Sequence, residues 1–177
     1  MFGKRLSELK TADIERLIKE EVQEGTEIEF KEALPAQRGK RDPWLEGGER
    51  VGDFARNKIL EEIIAFANAY GGVLVIGISE TAEKPARAAG IVPLPECAEL
   101  VERMRLQCRD CIEPQIPTLE VAGIPTEENG AGVVIIRVPK SRMAPHRHTA
   151  TRECYYRRAD RSEKMTMREI QDLTLNI

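Results

Sequence analysis

Apolar side chains at Ile14, Leu17, Ile18 and Val22 follow the i, i+3, i+4, i+8 spacing of one helix face, which predicts a helix over residues 11–23 closed by Gly25. Thr26 to Lys31 then alternates charged and apolar positions, the signature of a half-buried strand. The helical period returns from Phe54 to Tyr70, with Ile59, Ile63, Phe66, Ala67 and Tyr70 on one side and Leu60 and Ile64 widening it, until Gly71-Gly72 stops it. Val73 to Ile78 is an almost unbroken apolar run, as expected of a central strand buried on both faces. Gly90-Ile91-Val92 reads as a short strand, and Pro95 opens a helix to about Cys111 through Leu100, Val101, Met104 and Cys108. Thr118–Ala122 and Gly132–Val138 read as two strands of a hairpin joined through a Glu-Glu-Asn-Gly turn. Cys154–Arg158 is a further short strand, and the capping box from Thr166 to Glu169 starts a last helix carrying Ile170 and Leu173.

Helices and strands do not alternate strictly. The pattern therefore favours an α+β fold, a single mixed, sandwich-like domain with a mainly antiparallel sheet flanked by helices, over a doubly wound sheet. The whole chain, residues 1–177, reads as one domain with a core over about 24–173. Residues 33–53 carry Pro35, Gly39, Pro43, Gly47, Gly48 and Gly52 and hold no period, so they read as a long exposed loop, with Trp44-Leu45 as its anchor.

Composition agrees with this reading: 41% hydrophobic residues supply one core, and 32% charged residues exceed the usual quarter. There is no apolar run long enough to span a membrane and no signal-like N-terminus, so the expected location is the cytoplasm. The net charge of −3 argues against avid non-specific DNA binding, but its distribution is polar. Between Lys140 and Lys164 eight basic residues face three acidic ones, a local +5, which suits a phosphate-facing surface or, more plainly, a solvated basic loop. Cys108-x-x-Cys111 has no second pair at zinc-binding spacing; with His146 and His148 far off in sequence, buried thiols on a helix are the simpler reading. No G-x-x-x-x-G-K-[ST] motif is present, so no ATP site is expected.

Four segments in order resemble the Schlafen-type AlbA family, once grouped with divergent ATPases. They are Glu24-Gly-Thr-Glu-Ile-Glu29-Phe-Lys31; Ala65-Phe-Ala-Asn68-Ala-Tyr-Gly71-Gly72 leading into Val75-Ile-Gly-Ile78; Ile135-Ile-Arg-Val-Pro-Lys140-Ser141; and Tyr155-Tyr156-Arg157-Arg158 followed by Glu169-Ile170. The resemblance implies a nucleic-acid-binding module, for DNA or RNA. It implies as an alternative a metal-dependent endoribonuclease acting on structured RNA, such as tRNA, through a carboxylate cluster. A protein-interaction domain with vestigial acids, acting as a homo-oligomer or in a larger complex, is a third reading.

For the nuclease alternative the resemblance assigns Glu24 and Glu29 as catalytic metal ligands. Ser79 stands where a third acid is expected, with Glu80 beside it. Hard carboxylate oxygens suit Mg²⁺ or Mn²⁺ beside a phosphodiester. The bland reading pairs Glu29 with Lys31 or with an arginine of the basic segment. The nucleic-acid contacts expected are Lys31, Lys140, Arg142, Arg147, Arg152, Tyr156, Arg157, Arg158 and Arg161. Strand alternation puts Tyr155 and Arg157 on one face and Tyr156 and Arg158 on the other, one of which must be core. Asn68 and the two glycines are expected to shape the turn between helix and strand.

Overall fold

A four-stranded mixed sheet, ordered β1-β2-β7-β6, forms the centre of the computed structural model, which describes residues 3–175. β1 (Ile28–Lys31) runs parallel to β2 (Gly71–Ile76); β7 (Gly132–Pro139) is antiparallel to both β2 and β6 (Glu120–Pro125). Alternation along the two central strands sends Leu74, Ile76, Val134 and Ile136 to one face and Val73, Val75, Val133 and Ile135 to the other. The first face packs on α2 (Asp53–Asn68) and α3 (Cys97–Cys111), the second on α1 (Thr11–Lys19) and a 3-10 turn at Leu6–Glu8. Both faces of β2 are thus buried, as its unbroken apolar run requires, and the domain is α+β with its sheet between helical layers.

The first helix stops at Lys19, before the residue expected, and Gly25 does not close it. Glu21 instead takes a left-handed turn (φ 46°), and residues 22–24 pair in extended form with residues 86–88. Ala88 N–H bonds to Val22 O, Gln23 bridges Arg87, and Glu24 N–H bonds to Ala86 O. This pairing outcompetes another helical turn and fixes Glu24 beside β1.

The apolar run after α2 is divided by Gly77 at φ 105°, beyond which β3 (Ile78–Glu80) turns away to pair with β4 (Ala88–Ile91). Residues 33–53 are not wholly exposed. Asp42 accepts hydrogen bonds from Trp44 N–H and Gly52 N–H, a 3-10 turn spans Pro43–Glu46, and the Trp44 indole donates to Pro95 O. Leu34, Asp42, Trp44 and Val51 are buried, so only parts of this segment face water.

The basic segment is likewise built into the fold. β8 (Arg147–His148) pairs with β5 (Ile112–Glu113), and β9 (Tyr155–Arg158) forms a hairpin with β10 (Arg161–Lys164). Its polar run hid the second strand from periodicity. The Asn68 side chain donates to His146 O and Tyr155 O and accepts from His146 N–H, so it ties this segment to α2 instead of capping its own helix. The box at Thr166 and Glu169 forms as expected and opens α4 (Met167–Leu175).

Candidate functional site

The lower part of the site is a buried ionic cluster. Glu29, at 5% exposure, sits between two cations: Lys31 on one carboxylate oxygen and Arg157 on the other. The Arg157 side chain is fully buried; its guanidinium also donates to Glu62 Oε2 (2.9 Å) and to Gly25 O (3.0 Å), and lies 4.9 Å from the centre of the Phe66 ring. Ser162 on β10 donates to the same Glu62 oxygen. Glu24 accepts from Phe30 N–H (2.9 Å) and adjoins Glu29 and Glu80.

Glu80 reaches this place by an irregularity that the sequence did not announce. β3 does not end before it; a bulge between Ser79 and Glu80 breaks the alternation, while Ser79 Oγ bonds to Gly90 O. The three acids implied by the resemblance are therefore neighbours, with Glu80 and not Ser79 as the third. Glu62 is a fourth. Its signal was present, since it falls three residues after Ile59 and four before Phe66, on the apolar stripe of α2, where a carboxylate needs a partner.

The electrostatics follow. Burial, then the Glu29 and Glu80 carboxylates, push Glu24 up from its ordinary value to about 7, against the lowering effect of the Phe30 hydrogen bond. Burial and Glu29 raise Glu62 as well. For Lys31, burial alone would lower the ammonium, but Glu29, Glu62 and Glu24 outweigh it and hold it above its usual value. Lys31 and Arg157 thus neutralise Glu29, and Arg157 also neutralises Glu62, from within the protein. Among the described residues no three His, Cys, Asp or Glu side chains are arranged to hold a metal ion. With both oxygens of Glu29 already paired, the donor set as it stands does not fit Mg²⁺ or Mn²⁺.

This burial corrects the assignment of Arg157 as a phosphate contact: its guanidinium is inside the protein and committed to Glu29 and Glu62. Strand β9 puts Tyr155 and Arg157 inward and Tyr156 and Arg158 outward. The local +5 is also largely matched by acids nearby. Arg147 and Arg152 share Glu113, Arg158 holds Glu163 and Glu169, Lys164 holds Glu153, and Arg161 lies 3.7 Å from Asp160. Lys140 and Arg142 are exposed and have no acidic partner among the described residues. The thiol of Cys108 is buried and held up at about 12 by burial, and His146 and His148 are buried and bonded to Pro114 O and Asn57, structural positions all.

An exposed edge lies where α2 passes into β2. Gly71 takes φ 78° there, and a side chain on it would come within 2.6 Å of the Lys140 backbone nitrogen. Gly72 has another reason to be glycine: a Cβ would meet the Phe66 ring at 2.4 Å. The pairing of Gly71 with Pro139 sets Tyr70 beside Lys140, whose ammonium lies 5.8 Å from the Tyr70 ring centre. Tyr70 is 57% exposed, and Tyr156 adjoins its hydroxyl. Its helical spacing four residues after Phe66 suggested a core position, so sequence reasoning missed it as a surface group.

Three comparisons bear on this architecture. The sequence matches the family model described as Schlafen, AlbA_2 over residues 24–166. None of the curated proteins matches it. Among solved structures, the N-terminal domain of a Nitrosomonas europaea protein, named for a relation to the ATP-dependent DNA helicase RecG, is similar at 20% identity and a TM-score of 0.55, over 90% of this chain and 94% of that one. The DIP2311 protein of Corynebacterium diphtheriae is similar at 18% identity and a TM-score of 0.53, over 92% of this chain; the chain spans about 27% of that protein's length. Both likenesses establish a shared fold. Among the described residues no helix is long and apolar enough to cross a membrane.

Proposed function

The chain belongs to the Schlafen, AlbA_2 family, and from that premise we propose that it is a nucleic-acid-binding module. The observation that carries this reading is the edge bearing Lys140 and Arg142, two exposed cations without acidic partners among the described residues, in a segment whose other basic residues are paired. Phosphate oxygens would supply the missing partners. Arg147, Arg152, Arg158 and Arg161 add to that surface through exposed ion pairs, which are weak and exchange readily for a phosphate. The name of the RecG-related relative points the same way.

Fluorescence anisotropy with labelled DNA and RNA, titrated across salt, tests the reading. Binding is expected at low ionic strength, with a log–log salt slope that falls by roughly one for each phosphate contact removed. Changing Lys140 and Arg142 together to Ala should weaken binding and flatten that slope. No binding to any oligonucleotide at low salt would end the proposal.

The convergence of Glu24, Glu29 and Glu80 favours a second reading, a metal-dependent endoribonuclease. It conflicts with the cations already on Glu29. Incubating the protein with labelled tRNA and DNA, with Mn²⁺ or Mg²⁺ and with EDTA, separates the two. Cleavage that EDTA abolishes and that Glu29→Ala loses would establish the enzyme; intact substrate under all conditions leaves the binding module.

A further inference from the structure

We propose that Tyr70 is a stacking platform for an unpaired base, so that the ligand of this edge is a single-stranded nucleic acid segment; this rests on the nucleic-acid-binding reading above. Tyr70, just past the end of an otherwise buried helix stripe, is 57% exposed, so its side chain is open to a ligand. The ring stands clear because Ala69, buried just before it, and Gly71, at φ 78° just after it, turn the chain sharply into β2.

Three features suit it to a base. First, Lys140 lies over the ring with its ammonium 5.8 Å from the centre, which sets a cation beside a flat ligand that stacks there. Second, cations flank it. The backbone N–H of Ser141 donates to Ala67 O, which pins the Lys140–Arg142 stretch against the C-terminal end of α2, one residue before Asn68 and three before Tyr70. A phosphate belonging to a nucleotide stacked on Tyr70 would therefore find Lys140 and Arg142 without chain rearrangement. Third, Lys140 and Arg142 are the cations of this edge that stand without acidic partners among the described residues, whereas the neighbouring outward Arg158 carries Glu163 and Glu169 and is available to a phosphate only by exchange, so the unpaired positive charge is centred on Tyr70. A narrow aromatic and cationic edge fits one or two unpaired nucleotides better than the paired backbones of a duplex, whose bases turn their faces inward.

The test compares oligo-dT, oligo-U and duplex DNA and RNA of equal length, using the full chain and the variants Tyr70→Leu, Tyr70→Phe and Tyr70→Trp. Tyr70→Leu should weaken single-strand binding about fivefold to a hundredfold, the range for one stacked base, without changing the salt slope. Tyr70→Phe should stay within about twofold of wild type, because the ring and not the hydroxyl stacks. The indole of Tyr70→Trp should lose fluorescence when oligo-U or oligo-dT is added. The dT and U arms show whether the strand is DNA or RNA. Oligonucleotide binding that Tyr70→Leu leaves unchanged, or a preference for duplex shared by wild type and Tyr70→Leu, would overturn the platform while leaving the binding module intact. Absence of binding by wild type at low salt would remove the platform and the underlying reading together.

Discussion

Arg157 and Arg158 are adjacent in sequence and alike in chemistry, yet the fold puts them in opposite situations. Arg157 is enclosed with Glu29 and Glu62 against the Phe66 ring; Arg158 lies outside, its side chain 39% exposed, on Glu163 and Glu169. The inner pair belongs to a cluster that took its charges out of water and depends on complete pairing. The outer pair sits in high dielectric, where Coulomb attraction is weak and a phosphate can take the place of a carboxylate. Proximity in a basic segment therefore says little about binding. What matters is whether a cation is buried with its protein partner or holds that partner at the surface, where it can be exchanged.

The largest expected effect comes from emptying the inner position. Arg157→Ala leaves Glu29 and Glu62 buried with a cation fewer, and should cost about 3–5 kcal/mol in urea denaturation. Arg158→Ala should cost no more than about 1 kcal/mol. Equal losses for the two variants would erase the distinction between the regions.

A second route into the inner cluster runs through its floor. Gly72→Val drives a side chain into the Phe66 ring on which Arg157 rests, and should cost about 2–3 kcal/mol through overpacking. Gly72 lies in ordinary strand conformation, so the cause is space and not backbone strain. Pairing Gly72→Ala with Phe66→Leu should then cost less than the sum of the two single changes. Strict additivity in thermal melts would show that the ring is not the obstacle.

The third prediction uses pH. Glu24 titrates near 7 in the folded protein against an ordinary 4.5, so the folded state binds its proton more tightly than the unfolded chain does. Stability attributable to this group is greatest below about 4.5 and is lost as pH rises from there to about 7. Burial of Glu62 acts in the same direction. Relative to wild type, Glu24→Gln should gain on the order of 1–2 kcal/mol between pH 5 and pH 8, after allowance for solvent screening. Parallel stability curves for the two proteins over that range would show that neither burial nor the neighbouring carboxylates raise Glu24 above its ordinary value.

The smallest effect on stability belongs to the outer edge. Lys140→Ala and Arg142→Ala should leave the melting temperature within error while reducing the salt slope of oligonucleotide binding by roughly one each. A large loss of stability would mean that these cations serve the fold and not a ligand.

Much of this was legible along the chain. Helical periods located α2 and α3, the apolar run located the central strand, and Thr166 and Glu169 marked the last helix, because each signal is local and repeats within a few residues. The ordered segments Glu24–Lys31, Ala65–Ile78, Ile135–Ser141 and Tyr155–Arg158 carried the family. The end of α1 was misplaced because residues 22–24 answer to Ala86 and Arg87, more than sixty positions away. β10 was hidden because Arg161 to Lys164 is polar on both sides and is recruited by its partner, not by its own pattern.

The sequence by itself determined the main helices and the central strands, the mixed α+β class and the set of charged residues available to a site. Only the tertiary structure decided how those charges are used. Strand alternation required one face of β9 to be buried but did not choose it; the choice was made by Glu62 on α2 and Glu29 on β1, which gave Arg157 its partners and left Tyr156 and Arg158 outside. The same packing brought Glu80 to Glu24 through a bulge and left Tyr70 in water beside Lys140. Burial and ion pairing are properties of residues far apart in sequence, and they arise only when the layers come together.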